Sequence, residues 1–384
     1  MSSDTFEVII IGAGVIGLAV AAELAVRHRQ VLVVEKNRAS GQETSSRNSE
    51  VLHAGIYYPS NLFKSSLCVT GNRLLYEFCA KQGVPHLRAG KIIVATFASE
   101  LESLEELKQQ GESNGIDDLR IIGEKEIRKI EPEVQAMAGL FSPSTGIINS
   151  HRFMECLFRI AERHNALLAF RAEVTAISCH GRMYNLDINR GEYSIQTKIL
   201  VNCAGLYADR MAALAGIDID RRGYRLRHCK GNYFVSSPSP GLRHLVYPVP
   251  HKNSEFLGIH ATPDLGGKVR FGPDILYLDD SPALDGVPPS RDFDYSVDES
   301  RKTDFFSAIT KYLPGIKMEM LHPDMSGIRP KLQGPGEPLR DFVIREEGHS
   351  GFPGLINLIG IESPGLTCSL SIARFVSSLV DEAA

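Results

Sequence analysis

The sequence is poor in cysteine. Seven occur in 384 residues, an odd number, and no two are spaced Cys-x-x-Cys. A disulfide scaffold is excluded, and so are zinc ribbons and thioredoxin-type redox pairs. Free thiols suit a reducing compartment, so a cytoplasmic location is expected, without a metal centre. Basic charge is also short: 42 Lys and Arg stand against 46 Asp and Glu, a formal net charge of −4. A non-specific nucleic-acid binder would normally be basic, so no nucleic-acid partner is expected. One run departs from the average, with Arg221, Arg222, Arg225, Arg227 and Lys230 close together. It reads as a solvated strand and turn, with an anion-attracting face as the alternative. Long apolar runs are scarce too. Only Val8 to Val26 resembles a signal peptide or membrane span, but the chain opens Met1-Ser2-Ser3-Asp4 with no positive segment. Glu23 interrupts the run and three glycines punctuate it, so no transmembrane segment is expected.

What is present is the balance of a packed soluble protein: 43% hydrophobic and 23% charged residues. Intrinsic disorder is excluded for most of the chain. The length suggests two structural units at roughly 100–200 residues each.

Phe6 to Ile11 reads as a buried parallel strand and Gly12 to Gly17 as a turn. Val15 to Arg27 reads as a helix, and Val31 to Val34 as a second strand ending at Glu35. Together they form a βαβ unit. Gln42 to Tyr58 is a long Ser-, Asn- and Gly-rich loop. Helices are expected at Val69–Gln82, Glu100–Gln110, Glu124–Pro132, Phe153–Asn165 and Asp298–Tyr312. Strands are expected at Lys91–Thr96, Glu173–Ser178, Tyr184–Asn189 and Ile195–Asn202. Residues 224–280 alternate strand and turn as an antiparallel sheet would. Pro282 to Ser290 reads as a loop. A last strand, Ile356–Ile361, leads into a helix from Gly365.

Gly12-Ala13-Gly14-Val15-Ile16-Gly17 fits G-x-G-x-x-G. The bare pattern is weak, but here a strand precedes it, a helix follows, and Glu35 ends the next strand. Gly12 permits the tight turn, Gly14 lets backbone approach a pyrophosphate, and Gly17 lets helix and strand pack. The helix N-terminus at Val15 and Ile16 offers N–H groups and positive dipole to phosphate. Glu35 is placed to accept from ribose hydroxyls. Two features favour FAD over NAD. No second G-x-G-x-x-G occurs, and a second glycine signal follows a later strand, Ile199-Leu200-Val201-Asn202-Cys203-Ala204-Gly205.

These residues resemble the FAD-dependent oxidoreductases of the D-amino-acid oxidase superfamily, and within it the L-2-hydroxyglutarate dehydrogenase family. Ser45 to Tyr58 is similar to that family's signature loop. Leu67–Gly71, Gly90–Ala95, Thr145–Ile147, Cys203–Leu206, Tyr247–Pro250 and Phe256–His260 follow in the family's order. Gly327-Ile328-Arg329-Pro330 resembles the superfamily's Gly-x-Arg-Pro strand. The chain departs from the family at Arg47-Asn48-Ser49-Glu50 and at Gly360-Ile361-Glu362-Ser363-Pro364. It also lacks part of the family's substrate-domain insertion.

The resemblance implies an α/β fold. A Rossmann-like FAD-binding domain of glutathione-reductase type interleaves with an antiparallel-sheet α+β substrate domain. Residues 1–90, 146–220 and 322–384 are expected in the first, and 91–145 and 221–321 in the second. The implied reaction is oxidation of a small 2-hydroxy acid by hydride transfer to the flavin. An amino-acid or amine oxidase producing hydrogen peroxide is the alternative within the superfamily. A non-catalytic nucleotide-binding regulator would need neither Arg329 nor His53.

Arg329 is the expected carboxylate anchor, since a guanidinium pairs a carboxylate through two parallel hydrogen bonds; a structural salt bridge is the other reading. His53 is the expected base for the hydroxyl proton, or else a hydrogen-bond partner of the flavin, with His260 as second candidate base. Tyr57, Tyr58, Tyr247 and Lys230 are candidate substrate contacts, as is Lys64 for a distal carboxylate. Ser45, Ser46 and Asn48 are expected near the pyrophosphate or ribityl chain. Lys36, Val174, Ala204, Gly205 and Gly327 complete the expected cofactor contacts. Gly365, Leu366 and Thr367 open the last helix, whose dipole would stabilise negative charge on the flavin. Non-covalent FAD is expected, with Cys68, Cys368 and His53 as candidate attachment points. The electron acceptor is left as a quinone, another flavoprotein or oxygen; a quinone would add peripheral contact with the inner membrane.

Overall fold

The computed structural model describes residues 4–27, 30–250, 258–278, 287 and 292–384. Its first sheet is built on Asp4–Ile11, which pairs in parallel with Val31–Glu35 on one side and Tyr193–Asn202 on the other. Leu167–Phe170 extends it beyond Val31–Glu35, and Phe352–Ile359 runs parallel to the end of Tyr193–Asn202. Val8, Ile9 and Ile10 are fully buried, because a parallel sheet is covered on both faces. Helix Val15–Ala25 is buried nearly all round. It packs against helices Ser150–Arg163 and Gly365–Ala383 as well as the sheet. That burial explains a run as apolar as a membrane span. Among the described residues, no helix is long and apolar enough to cross a membrane.

The second sheet draws strands from two stretches of chain. Lys91–Ala95, Arg120–Gly123 and Ala138–Ser142 come from one. Six strands between Arg227 and Lys331 come from the other. All its pairs are antiparallel except Leu245–Pro248 with Lys91–Ala95. Strand Leu321–Lys331 belongs to this sheet by its hydrogen bonds to Arg227–Ser236, although it carries the Gly-x-Arg-Pro motif expected on the flavin side. A small third sheet joins Val51–Leu52, His86–Leu87 and Gly146–Ile148 and delivers the chain to His53.

Two elements differ from expectation, the first for a reason outside its own sequence. The helix expected from Val69 begins at Phe63. Asp341 accepts both the Phe63 and Lys64 N–H groups, at 2.6 and 3.0 Å, and so caps the earlier turn. The helix expected over Asp298–Tyr312 is a tight turn at Glu299–Arg301 followed by Lys302–Ile309. The expected loop Pro282–Ser290 lies outside the described residues apart from Val287, as do Phe256 and Leu257.

Candidate active site

A cavity of about 760 Å³ is lined by residues of both large sheets. It runs along the C-terminal edge of the first sheet, where a doubly wound fold places its ligands. Gly12, Gly14, Glu35 and Val174 line it from the first sheet. His53, Tyr57, Tyr247, His260 and Arg329 line it from the loop and the second sheet.

The glycine loop is shaped by close approach. Gly12 has φ +102°, and a Cβ there would lie 2.5 Å from the Cys203 carbonyl oxygen. A Cβ on Gly17 would lie 1.9 Å from the Gly12 carbonyl oxygen. Gly17 therefore does not face the cavity; it lets the helix sit on the turn. Gly14 begins helix Val15–Ala25 without a side-chain cap of its own and with no acid in the first turn, so no carboxylate neutralises the positive helix end. Glu35 accepts from Ala13 N–H at 2.7 Å and Asn37 N–H at 2.8 Å. Each oxygen keeps a second lone pair for a ribose hydroxyl. Lys36 stands 3.6 Å over the Tyr207 ring and 3.4 Å from Glu43. Ala204 and Gly205 line the wall. A helix end free of acids, a glycine cradle and an acid at the next strand's end fit a dinucleotide, and the cavity has the size of cofactor sites.

His53 is held by its backbone. Its N–H donates to Thr367 Oγ1 at 3.0 Å, and its carbonyl accepts from Asn72 Nδ2 at 3.0 Å. Its Nε2 stands 3.4 Å from Ser363 Oγ. Burial, then the nearby Lys91 ammonium, lower its pKa to about 3, so the imidazole is neutral around pH 7. Arg329 stands opposite Cys229 on the neighbouring strand. Its Nη2 donates to the Asp274 carbonyl at 2.7 Å, and its Nε has no partner. It forms no structural salt bridge among the described residues. Burial opposes its charge, but Cys229, Glu362, Tyr233 and Asp274 outweigh burial and move its pKa upward. A half-buried guanidinium with a buried, unmet Nε donor, on a cavity wall, is built to receive an anion. His260 stacks on Tyr247 with centroids 3.5 Å apart. The Tyr58 hydroxyl donates to the Ser363 carbonyl at 3.1 Å.

Several expected contacts lie elsewhere. Lys230 does not line the cavity; its ammonium pairs with Asp294 at 3.2 Å. The reason is strand alternation. Cys229 and Arg329 share a face, so Lys230, the next residue, points to the other. Ser46 also stands off the wall, its hydroxyl donating to the Glu43 carbonyl at 3.1 Å. Asn48 lines the cavity, but its amide donates to the Ser45 carbonyl and its oxygen accepts from Glu50 N–H, both at 2.8 Å. It shapes the loop. Ser45 Oγ accepts from Val15 N–H at 2.9 Å, joining that loop to the helix start. Gly327 makes room, since a Cβ there would lie 2.1 Å from the Arg47 carbonyl oxygen. Gly365 and Leu366 line the cavity, while Thr367 points back to His53 and to the Val51 carbonyl.

Sequence reasoning named only Lys64 of a buried charge cluster. Lys64 pairs with Glu362 at 3.0 Å, and Lys331 lies 3.4 Å from the same carboxylate. All three are buried and line the cavity. Burial would raise the Glu362 pKa, but Lys64, Lys331 and Arg329 outweigh it and hold it at about 2. Three cations thus act on this one carboxylate. Besides Lys64, the traces were Lys331 directly after the Gly-x-Arg-Pro motif and Glu362 in the departing segment. The departure at Glu50 is also explained: its carboxylate accepts from the Ser150 N–H and hydroxyl at 2.8 and 2.7 Å, capping helix Ser150–Arg163. Lys91 was missed as well. It is 1% exposed in an apolar strand, with its ammonium 3.4 Å from the Tyr57 hydroxyl. No group of three metal-ligating side chains is present among the described residues.

Residues 7–379 match the family model described as FAD dependent oxidoreductase. The mitochondrial L-2-hydroxyglutarate dehydrogenase of Arabidopsis thaliana is 38% identical over 98% of this chain and 84% of its own length. The human mitochondrial L-2-hydroxyglutarate dehydrogenase is 30% identical, covering 99% of this chain and 90% of its own. Among solved structures, dithionite-reduced L-alpha-glycerophosphate oxidase from Mycoplasma pneumoniae with FAD bound superposes with a TM-score of 0.85. It is 28% identical over 98% of this chain and 95% of its own.

Proposed function

The chain belongs to the family of FAD-dependent oxidoreductases, and from that premise we propose that it oxidises L-2-hydroxyglutarate, or a close 2-hydroxy acid, to the 2-oxo acid. One observation carries the reading: a charged guanidinium and a neutral imidazole share a single cavity with the glycine cradle. Bound FAD supplies the acceptor for two electrons and the hydrogen on the substrate's C2. This chain's residues do the rest. Gly12, Gly14 and the helix start at Val15 hold the pyrophosphate, and Glu35 holds the ribose. Arg329 pairs with the carboxylate beside the reacting carbon and fixes its orientation. His53 takes the hydroxyl proton on its imidazole, with Thr367 and Asn72 holding its backbone in place. An imidazole lowered to about 3 is a weak base, but a bound dianion beside it favours its charged form and raises its basicity. The Lys64 and Lys331 ammonium groups on the cavity wall support an acid with a second carboxylate. Tyr57, Tyr247 and His260 form the opposite wall.

The amine-oxidase alternative is weaker, because an amine substrate needs no base for a hydroxyl proton and the whole-chain relatives are named for a hydroxy acid. The test is anaerobic addition of L-2-hydroxyglutarate to the purified flavoprotein, followed at the visible flavin band. The D-enantiomer, glycine and L-amino acids serve as controls. Bleaching by the L-hydroxy acid alone supports the reading; bleaching by an amino acid instead overturns it. Reoxidation by oxygen, by a soluble quinone or by neither then identifies the acceptor class.

A further inference from the structure

Lys91 is a buried cation without an acid. Its ammonium contacts the Tyr57 hydroxyl at 3.4 Å, and lies 4.5 Å from the Tyr57 ring centroid and 4.9 Å from that of Tyr247. Among the described residues no carboxylate pairs with it. A buried ammonium ordinarily has such a partner. Both aromatic rings line the cavity, and Lys91 stands behind them. The register explains its position: Lys91 pairs with Leu245 and Ile93 with Tyr247, so Lys91 and Tyr247 share one face of the sheet. His260 then stacks on Tyr247, which sets three layers, ammonium, phenol and imidazole, against the substrate end.

Resting on the reading of an anionic substrate, we propose that Lys91 is a positioning residue: the counter-charge of the bound hydroxy acid, acting through the Tyr57–Tyr247 wall and taking up a proton from solvent as the anion enters. The titratable groups facing it are few. They are His53 and Tyr57 from the loop, Cys68 from helix Phe63–Gln82 and Tyr247 from the adjoining strand. None of them is a carboxylate. Burial lowers the Lys91 pKa to about 7, with Cys68 acting weakly the other way. In the free protein near pH 7.5 the group is therefore mostly neutral. An anion arriving across the wall favours the charged form and moves the pKa up. Binding and protonation are then linked: affinity falls as pH rises, and each binding event near pH 7.5 absorbs part of a proton. At pH 6 Lys91 is already charged and the uptake vanishes. Burial keeps His53 neutral before substrate is present.

The experiment is calorimetric titration of the oxidised holoenzyme with 2-oxoglutarate, the non-reducing product, in two buffers of different ionisation enthalpy. The expected result is fractional proton uptake at pH 7.5 and none at pH 6. Lys91→Met is expected to bind about tenfold more weakly at pH 6 and to take up no proton at either pH. Lys91→Arg, permanently charged, is expected to restore affinity without proton uptake. A purely structural lysine would move the melting temperature but not the buffer dependence. Binding by the wild type without uptake at pH 7.5, or unchanged uptake in Lys91→Met, overturns this inference alone. No binding at all by the wild type overturns the substrate reading and the inference with it.

Discussion

The two ends of the cavity are made of different materials. The nucleotide end is backbone. Gly12, Gly14 and Gly17 matter for what they lack, since a Cβ at Gly12 or Gly17 would overlap a carbonyl oxygen. Its elements lie between Ile11 and Glu35, one βαβ unit. The substrate end is side-chain charge. Arg329, Lys64, Lys331 and Glu362 come from distant stretches and meet on the cavity wall, with buried Lys91 behind Tyr57 and Tyr247. The difference separates two tasks. A dinucleotide offers phosphates that aligned peptide dipoles recognise in any member of the fold. A particular hydroxy acid must be chosen by charges whose number and placement are this chain's own.

The comparison breaks most sharply at Gly17. Gly17→Ala puts a Cβ 1.9 Å from the Gly12 carbonyl oxygen, a backbone clash with no room to relax. A destabilisation on the order of 4 kcal/mol is expected, with loss of the yellow band on purification, measured by thermal melting and by FAD released per chain. Glu362→Gln removes the carboxylate on which Lys64, Lys331 and Arg329 all act. Leaving buried charges unpaired costs ~3 kcal/mol, read by denaturant melts at pH 7. The sign with pH follows from the folded pKa of about 2, which lies below the ordinary carboxylate value. Glu362 stabilises the protein fully above pH ~5, and the stability is lost as pH falls toward 2. The wild type is therefore expected to lose this contribution in acid, while the variant's stability changes less over the same interval. Arg329→Lys keeps the charge but loses the planar fork. It sharpens the contrast, because kcat/KM for the hydroxy acid is expected to fall about 100-fold with the flavin spectrum unchanged. The smallest effect is at Ser363. Its hydroxyl stands 3.4 Å from His53 Nε2, a long contact. Ser363→Ala is expected to change kcat by less than about threefold.

The same division decided what the sequence could reveal. The nucleotide end was legible because its signals are local: glycines at fixed spacing after a strand, with an acid at the end of the next. Helix boundaries were legible where the helix carries its own signals, and not where Asp341 supplies the cap to Phe63 from a remote loop. At the substrate end, His53 and Arg329 were reached through resemblance, and the structure brings them to one cavity. The charge cluster was not legible. Glu362 meets Lys64 across 298 residues of chain, and no periodicity encodes that meeting. Lys230 was drawn in by its place in a basic run, yet register alone decides which face it takes. Lys91 left one trace, a charge inside an apolar strand. That trace marks burial, but not what the charge faces.

The most direct test measures cofactor and substrate on the same samples. Wild type and Arg329→Lys would be assayed for FAD bound per chain, then mixed anaerobically with L-2-hydroxyglutarate in a stopped-flow instrument. The predicted result is equal FAD content and flavin reduction about 100-fold slower in the variant at low substrate concentration. Loss of FAD from Arg329→Lys, or reduction at the wild-type rate, would contradict the separation of a backbone-built cofactor end from a charge-built substrate end.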